Sequence, residues 1–235
     1  MAFTILAQEI SFLGQNETPL FLNTSFSINA KERVAVIGES GTGKTVLLKA
    51  LIGDIDLDSG ILIRPPNVLI AYVPQSLSDF GEIDEYTTVK ELFWQGAGYD
   101  SLEARMRQLE DLMAQGESSP QVLEEYGNLQ DNFESRGGYN AEARAGIVLA
   151  GLGLEKSNIG LDTFLGEISS GQRAKLLIGQ ALFSQPDFLV LDDPSSHLDL
   201  PSQAWLANFI SESGISSIVA SRDANFTSLF ATKVI

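Results

Sequence analysis

The segment between residues 38 and 45 combines glycines, a lysine and hydroxyl side chains at a spacing that could hold phosphate groups. Its residues are Gly38, Glu39, Ser40, Gly41, Thr42, Gly43, Lys44 and Thr45. Glycines let the backbone curl so that successive N–H groups point at a phosphate, and a following helix presents its positive N-terminus to the same anion. Lys44 can reach the terminal phosphates, and the Thr45 hydroxyl can ligate Mg²⁺. The spacing therefore predicts binding of the triphosphate of a magnesium-bound nucleotide.

Two acids, Asp192 and Asp193, directly follow the apolar run 188–191. Ligands of open α/β sheets bind at the carboxyl ends of the strands, so we expect this run to bring Asp192 to the nucleotide. There Asp192 would hold a water on Mg²⁺. Asp193 could orient or deprotonate the attacking water. Either acid could instead only cap the turn that follows.

The elements that must position these residues follow from the hydrophobic pattern. The first thirty residues alternate apolar and polar side chains, which predicts antiparallel strands. Further along, short apolar runs alternate with amphipathic stretches, which predicts a mostly parallel sheet covered by helices on both faces. The predicted strands are 33–37, 68–73, 188–191 and 215–220, and the predicted helices are 45–52, 141–149, one after Gly171, and 202–210.

The stretch 99–136 has a different composition, and its apolar residues repeat at heptad spacing on either side of a break at 116–120. These residues are Tyr99, Leu102, Met106, Leu109, Met113, Val122, Tyr126, Leu129 and Phe133. Two amphipathic helices joined by a short turn form a helical hairpin. We expect one domain, 1–235, with a core of 1–98 and 137–235 and this hairpin inserted as an arm.

Composition narrows the classes of function. A net charge of −16 opposes broad binding to nucleic-acid backbones. The chain has no cysteine, and therefore no disulfide or thiolate metal site. It shows neither an apolar run long enough to span a bilayer nor an export signal, so we expect a soluble, cytoplasmic protein without membrane insertion.

Between the phosphate loop and the acidic strand lie Ser169, Ser170, Gly171 and Gln172. In this order the segment resembles the LSGGQ signature of ATP-binding cassette (ABC) proteins. The resemblance implies the ABC nucleotide-binding fold of the P-loop NTPases, with ATP and Mg²⁺ as cofactors and ATP hydrolysis as the activity.

The same resemblance assigns further residues. It makes Gln75 the Q-loop glutamine and a metal ligand beside Thr45 and Asp192. It also places His197 and Asp199 in the D-loop (196–199). Phe12 is the best candidate for the aromatic residue that stacks on adenine, although Phe3, Phe21 and simple core packing are alternatives.

In the family, the signature donors face the γ-phosphate held by a different domain. The resemblance therefore implies a head-to-tail homodimer or pairing with a second ABC domain. The hairpin, with the segments 137–154 and 198–210, looks like the first cassette of an ABC-F protein, a branch whose members resemble translation factors acting on the ribosome. The hairpin could also be a structural insertion without a partner. Its segment 101–136 carries eight acids against three arginines, which suits a basic protein better than RNA.

Several positions depart from the family pattern. Asp193 replaces the usual catalytic glutamate, and Arg222 stands where a switch histidine is expected. Ser170 replaces a signature glycine, and His197 is expected to be structural. A cassette normally continues for one or two strands beyond Ile235, so both a fragment and a single-domain paralogue stay open.

These departures leave three hypotheses. The first is a slow ATPase that works as a dimer, with Asp193 and Arg222 as its catalytic residues. The second is a clamp or sensor that binds ATP and scarcely hydrolyses it. The third is the ATPase subunit of a transporter.

Overall fold

The computed structural model describes residues 3–14, 17–76 and 84–235. A five-stranded sheet forms the centre of the fold, with strand order β5-β6-β7-β3-β8, and all of its pairings are parallel. Its strands are β3 (Arg33–Ile37), β5 (Ile70–Val73), β6 (Phe188–Asp192), β7 (Ser216–Ser221) and β8 (Lys233–Val234). The carboxyl ends of β3, β6 and β7 therefore lie side by side, with β7 in the middle.

Side chains of β6 alternate between two hydrophobic cores, as the two-residue period of a strand requires. Phe188 and Val190 belong to the core that faces the N-terminal sheet, whereas Leu189 and Leu191 belong to the core under the larger helices. All five residues of β6 are buried. A strand that is apolar on both faces is typical of a parallel sheet covered on both sides.

A separate antiparallel sheet is formed near the N-terminus, with strand order β2-β1-β4. Its strands are β1 (Thr4–Leu13), β2 (Pro19–Asn29) and β4 (Ser59–Ile63). Ile5, Ile10 and Ile28 from this sheet pack against the central sheet and the helix after the phosphate loop. The antiparallel sheet therefore covers one side of the nucleotide half of the fold.

Eight α-helices lie within the described part of the chain. They are α1 (Lys44–Ile52), α2 (Val89–Ala97), α3 (Tyr99–Ala114), α4 (Pro120–Ser135), α5 (Ala141–Gly151), α6 (Ser170–Phe183), α7 (Leu200–Glu212) and α8 (Ala224–Ser228). In that same part, none has both the length and the apolar character needed to cross a bilayer.

Helices α3 and α4 form the predicted hairpin, and an aromatic cluster fixes its base. The ring centroid of Tyr99 lies 5.3 Å from that of Phe133 and 5.9 Å from that of Phe183. The Tyr99 hydroxyl donates to the backbone oxygen of Arg136 and accepts from Arg144. Gly138 is required here, since a Cβ atom would lie 2.5 Å from the Phe133 ring. The arm is thus anchored on α6 by buried aromatic packing.

The predicted fold class is confirmed: a mostly parallel α/β sheet, an antiparallel N-terminal sheet and an inserted helical hairpin. Strands β4 and β8 and helices α2 and α8 were not predicted, and several predicted elements differ from the structure at their ends. The predicted strand 215–220 runs from Ser216 to Ser221, and the predicted helix 202–210 begins at Leu200, because Asp199 caps it and Pro201 fits its first turn.

Candidate functional site

The phosphate loop connects β3 to α1, as its sequence requires. Gly41 and Gly43 have φ angles of 84° and 89°, a region that other residues rarely adopt. Gly43 precedes the first turn of α1, and a Cβ atom on it would lie 2.9 Å from Cβ of Leu20. The loop thus has the backbone curl and the helix N-terminus that an anion needs.

The Lys44 ammonium group rests on its own loop. Its Nζ atom donates to the backbone oxygens of Gly38, at 2.8 Å, and Glu39, at 2.6 Å. The Thr42 hydroxyl also donates to the oxygen of Glu39, at 2.9 Å. These bonds hold the loop closed on itself, and a phosphate would compete for the same ammonium protons.

Asp192 ends β6 with its side chain buried, since the residue is only 2% exposed. Burial raises the pKa of its carboxyl group above the usual range, the charge of Asp193 adds to the rise, and a hydrogen bond with Thr45 opposes it. Its Oδ2 atom has no hydrogen-bond partner within residues 3–14, 17–76 and 84–235. A buried acceptor without a partner fits a water or cation carried in by the nucleotide.

Asp193, the next residue, adopts a left-handed backbone conformation with φ 48°, which turns its side chain away from the line of β6. Oδ2 accepts from Arg222 Nη2 at 2.8 Å and lies 3.5 Å from Gln75 Nε2. Oδ1 lies 3.5 Å from the Ser195 hydroxyl, which is 3.1 Å from the hydroxyl of Ser221. Side chains after β5, β6 and β7 therefore converge on this carboxylate.

The D-loop contacts the Q-loop through its histidine. His197 Nε2 lies 2.8 Å from the backbone oxygen of Gln75. Asp199 caps α7 by accepting from the backbone N–H of Ser202 at 3.0 Å. Hydrogen bonding with the Ser202 side chain, together with this backbone bond, lowers the pKa of the Asp199 carboxyl group. The two predicted D-loop residues thus hold neighbouring segments rather than line the phosphate cavity.

The signature residues form the N-terminus of α6. Ser169 is the N-cap, its hydroxyl accepts from the Gln172 backbone N–H, and the Gln172 side chain accepts from the Ser169 backbone N–H. Ser170 and Gly171 are exposed in the first turn. None of these four residues lines the cavity at the phosphate loop. The signature therefore lies outside the chain's own phosphate cavity, with its first turn exposed.

A cavity of about 210 Å³ brings together nine of the nineteen predicted site residues. The residues that line it are Leu20, Ser40, Gly41, Gly43, Lys44, Thr45, Val46, Gln75, Asp192, Asp193 and Arg222. Phe12 does not line it: its ring faces that of Phe21, 6.2 Å away across the strand pair β1–β2. Its adenine contact stays a prediction.

With this geometry in place, comparison with known proteins decides the family. The family model described as ABC transporter matches residues 21–196. The chain belongs to the ATP-binding cassette family. Among curated relatives, the cassette is 34% identical to the tylosin resistance ATP-binding protein TlrC of Streptomyces fradiae over 192 residues, 80% of this chain. It is 28% identical to the ATP-binding protein Uup of Escherichia coli (strain K12) over 234 residues, 99% of this chain.

Solved structures give the same fold. The ATP-binding subunit of an ABC transporter superposes with a TM-score of 0.66 at 18% identity, covering 97% of this cassette and 83% of that chain. The cassette spans about a third of the curated relatives, 34% of TlrC and 35% of Uup. The comparisons therefore show an ATP-binding cassette domain.

Four contributors to the site were missed from the sequence. Leu20, on β2, lines the cavity beside Gly43, and Val46, on α1, also lines it. Ser195 and Ser221 join the loops after β6 and β7. Ser195 lies two residues from Asp193, a spacing that could have drawn attention to it, whereas nothing distinguishes Leu20 from other strand leucines.

Proposed function

We propose that this cassette binds Mg–ATP and hydrolyses it slowly, together with a second cassette or a second copy of itself. The observation that carries the proposal is the convergence of Lys44, Asp192 and Asp193 on one cavity, with Asp193 held by Arg222. Lys44 and Asp192 supply groups that binding of Mg–ATP needs, whereas the Asp193–Arg222 pair limits the rate of hydrolysis.

Binding rests on fixed donors and acceptors. The phosphate loop offers its backbone N–H groups, and the Lys44 ammonium group exchanges two backbone oxygens for phosphate oxygens. Thr45, Gln75 and Asp192 would hold Mg²⁺ and its water, since all three line the cavity and bear oxygen ligands. When bound, Mg²⁺ neutralises charge that develops on the phosphates.

Hydrolysis needs a group that orients the attacking water and accepts its proton. Asp193, the residue after Asp192, is the acid in the cavity that could do this, but its side chain is one methylene shorter than that of glutamate. A displacement of about 1 Å can cost on the order of a hundredfold in rate. In addition, Arg222 already occupies Oδ2 of Asp193. Both features favour slow turnover.

The need for a second cassette follows from where the signature lies. Ser169 and the first turn of α6 are outside the cavity that Lys44 lines. A helix N-terminus capped by serine is a suitable anion site for the γ-phosphate of another cassette. A head-to-tail arrangement would enclose each nucleotide between a phosphate loop and a signature.

Phosphate release tests the activity. Purified protein is mixed with Mg–ATP in a single-turnover experiment, over a range of protein concentrations. We expect slow release whose rate rises with protein concentration, because two cassettes must meet. ATP that is bound and never hydrolysed at any concentration contradicts the enzymatic proposal and favours a clamp. That second candidate is favoured by the same Asp193–Arg222 pair.

We further propose an ABC-F-like role in translation. Support comes from the α3–α4 hairpin and from the relatives Uup and TlrC, the latter named for tylosin resistance. Two of the arm's arginines already pair with arm acids, Arg105 with Glu125 and Arg107 with Glu103. The excess negative charge of the arm therefore favours a basic protein surface over RNA.

Sedimentation with ribosomes tests this role. Asp193→Asn protein with Mg–ATP should pellet with ribosomes through a sucrose cushion, since blocked hydrolysis keeps the nucleotide-bound state. Lys44→Ala is the control and should stay in the supernatant. Equal pelleting of both variants, or of neither, contradicts a nucleotide-dependent ribosomal role.

A further inference from the structure

His197 is the only histidine in the chain, and its ring joins the D-loop to the backbone of Gln75. The two atoms, His197 Nε2 and the Gln75 backbone oxygen, are 2.8 Å apart. A carbonyl oxygen only accepts hydrogen bonds, so Nε2 carries the hydrogen and donates it. The contact therefore requires a neutral ring in the Nε2–H form or an imidazolium.

We propose that His197 is a positioning residue for hydrolysis: it fixes the Gln75 backbone and thereby aims the Gln75 side chain at Asp193. The inference rests on the hydrolysis proposed above and extends it to a residue outside the cavity lining. Gln75 makes both contacts. Its backbone oxygen is bound by His197, and its side-chain Nε2 atom lies 3.5 Å from Asp193 Oδ2, so Gln75 links the histidine to Asp193.

Gln75 needs such an anchor because it lies beyond the end of its strand. The parallel ladder between β5 and β6 ends at the pair Val73–Leu191. Pro74 follows and has no backbone N–H to extend the ladder. A side-chain donor from another loop can fix the backbone where the sheet no longer does.

The D-loop is itself braced, so His197 can act as a fixed support. The side-chain amide of Gln203, on α7, donates to the backbone oxygens of Ser195, at 3.1 Å, and Leu198, at 3.0 Å. Asp199 caps α7 and lies 3.5 Å from Lys175 Nζ on α6. The backbone on both sides of His197 is thus held by helices, and the ring reaches from this frame to Gln75.

A test of the contact needs no hydrolysis. Because the chain has one histidine, ¹⁵N-histidine labelling of protein without a polyhistidine tag gives a single imidazole in NMR spectra. We expect the Nε2–H tautomer at neutral pH, with its proton protected from exchange. A ring in the Nδ1–H tautomer, or an Nε2 proton that exchanges as in a free peptide, overturns the inference.

Kinetics test the positioning role. His197→Phe keeps a ring of similar size and removes the donor, whereas the amide of His197→Gln can replace Nε2–H. We expect His197→Phe to lower kcat on the order of tenfold with little change in KM for ATP, and His197→Gln to recover much of the loss. Equal losses in both variants, or a loss confined to KM, overturn the role.

A double mutant separates positioning from general stability. If His197 acts through the Gln75 side chain, His197→Phe should have no further effect on kcat in protein that already carries Gln75→Ala. Additive losses contradict the inference. If wild-type protein binds Mg–ATP but releases no phosphate, the proposed hydrolysis is wrong, and so is the kinetic role of His197. The tautomer measured by NMR still decides whether the His197–Gln75 contact exists.

Discussion

Arg222 Nη2 donates to Asp193 Oδ2 over 2.8 Å, which joins the loop after β7 to the end of β6. The aspartate side chain is 6% exposed and the arginine side chain 54% exposed. Arginine stays charged throughout the physiological pH range, so the pair does not loosen by deprotonation of the arginine as a histidine pair would. Breaking it requires movement of Arg222 or a competing negative charge such as a phosphate.

Replacing both partners should raise turnover. We expect Asp193→Glu with Arg222→His to release phosphate at least roughly tenfold faster than wild type, because the longer acid reaches the water and the strong ion pair is lost. Single-turnover phosphate release measures the rate, with ATP affinity as the control. If the double variant is no faster, these two residues do not limit hydrolysis.

A substitution at Lys44 should distinguish nucleotide binding from hydrolysis. Lys44→Ala removes a charged donor to the phosphates, so ATP should bind about 10- to 100-fold more weakly. Asp193→Asn is the matched variant, and it should bind ATP like wild type while it slows hydrolysis further. Isothermal titration calorimetry measures both affinities. Equal affinity of wild type and Lys44→Ala would be incompatible with the phosphate-loop assignment.

Asp192 should make the free protein less stable at neutral pH. Its pKa is raised by burial, so the folded protein binds this proton more tightly than the unfolded chain does. The free energy of unfolding therefore falls as pH rises from about 4 through the raised pKa. Asp192→Asn, without Mg²⁺ and nucleotide, should be more stable than wild type at pH 7.

Urea denaturation of both proteins at several pH values measures this difference. It should narrow as pH falls below about 4, where the wild-type carboxyl group becomes protonated in the unfolded chain as well as in the folded protein. Adding Mg–ATP should stabilise wild type more than the Asn variant, since a cation favours the ionised acid. A stability difference that does not change with pH contradicts the burial argument.

The arm should depend on its aromatic base. Phe133 is 6% exposed and contacts Tyr99, so Phe133→Ala should lower the free energy of unfolding by about 3 kcal/mol. Leu123→Ala is the control, because Leu123 on α4 is 51% exposed and its loss should change stability by less than about 0.5 kcal/mol. Urea denaturation measures both, and equal effects would contradict the anchoring.

The phosphate loop and Asp192 could be predicted from sequence because each depends on a short, local pattern. The glycine spacing fixes the curl, and the apolar run of β6 fixes where the acid emerges. The hairpin could be predicted for the same reason, since heptad spacing within 99–136 determines which faces of its helices meet.

The contacts of Asp193 could not be predicted, because its partners are distant in sequence. Gln75 is 118 positions away and Arg222 is 29, and only the parallel pairing of β5, β6 and β7 brings them together. Leu20 was missed for a similar reason. It meets Gly43 through the packing of the antiparallel sheet on the loop, which leaves no mark in the spacing of residues.

The aromatic cluster at the base of the arm also determines how a force on the hairpin would be transmitted to α6. Phe183 ends α6, and the signature serine, Ser169, immediately precedes the same helix of 14 residues. A straight helix of that length is a stiff rod of about 21 Å. Close-packed rings do not slide freely past one another. A tilt of α3 and α4 at Tyr99 must therefore either repack the aromatic cluster or move the N-terminal end of α6. The hairpin and the signature are thus mechanically coupled, because they lie at opposite ends of α6.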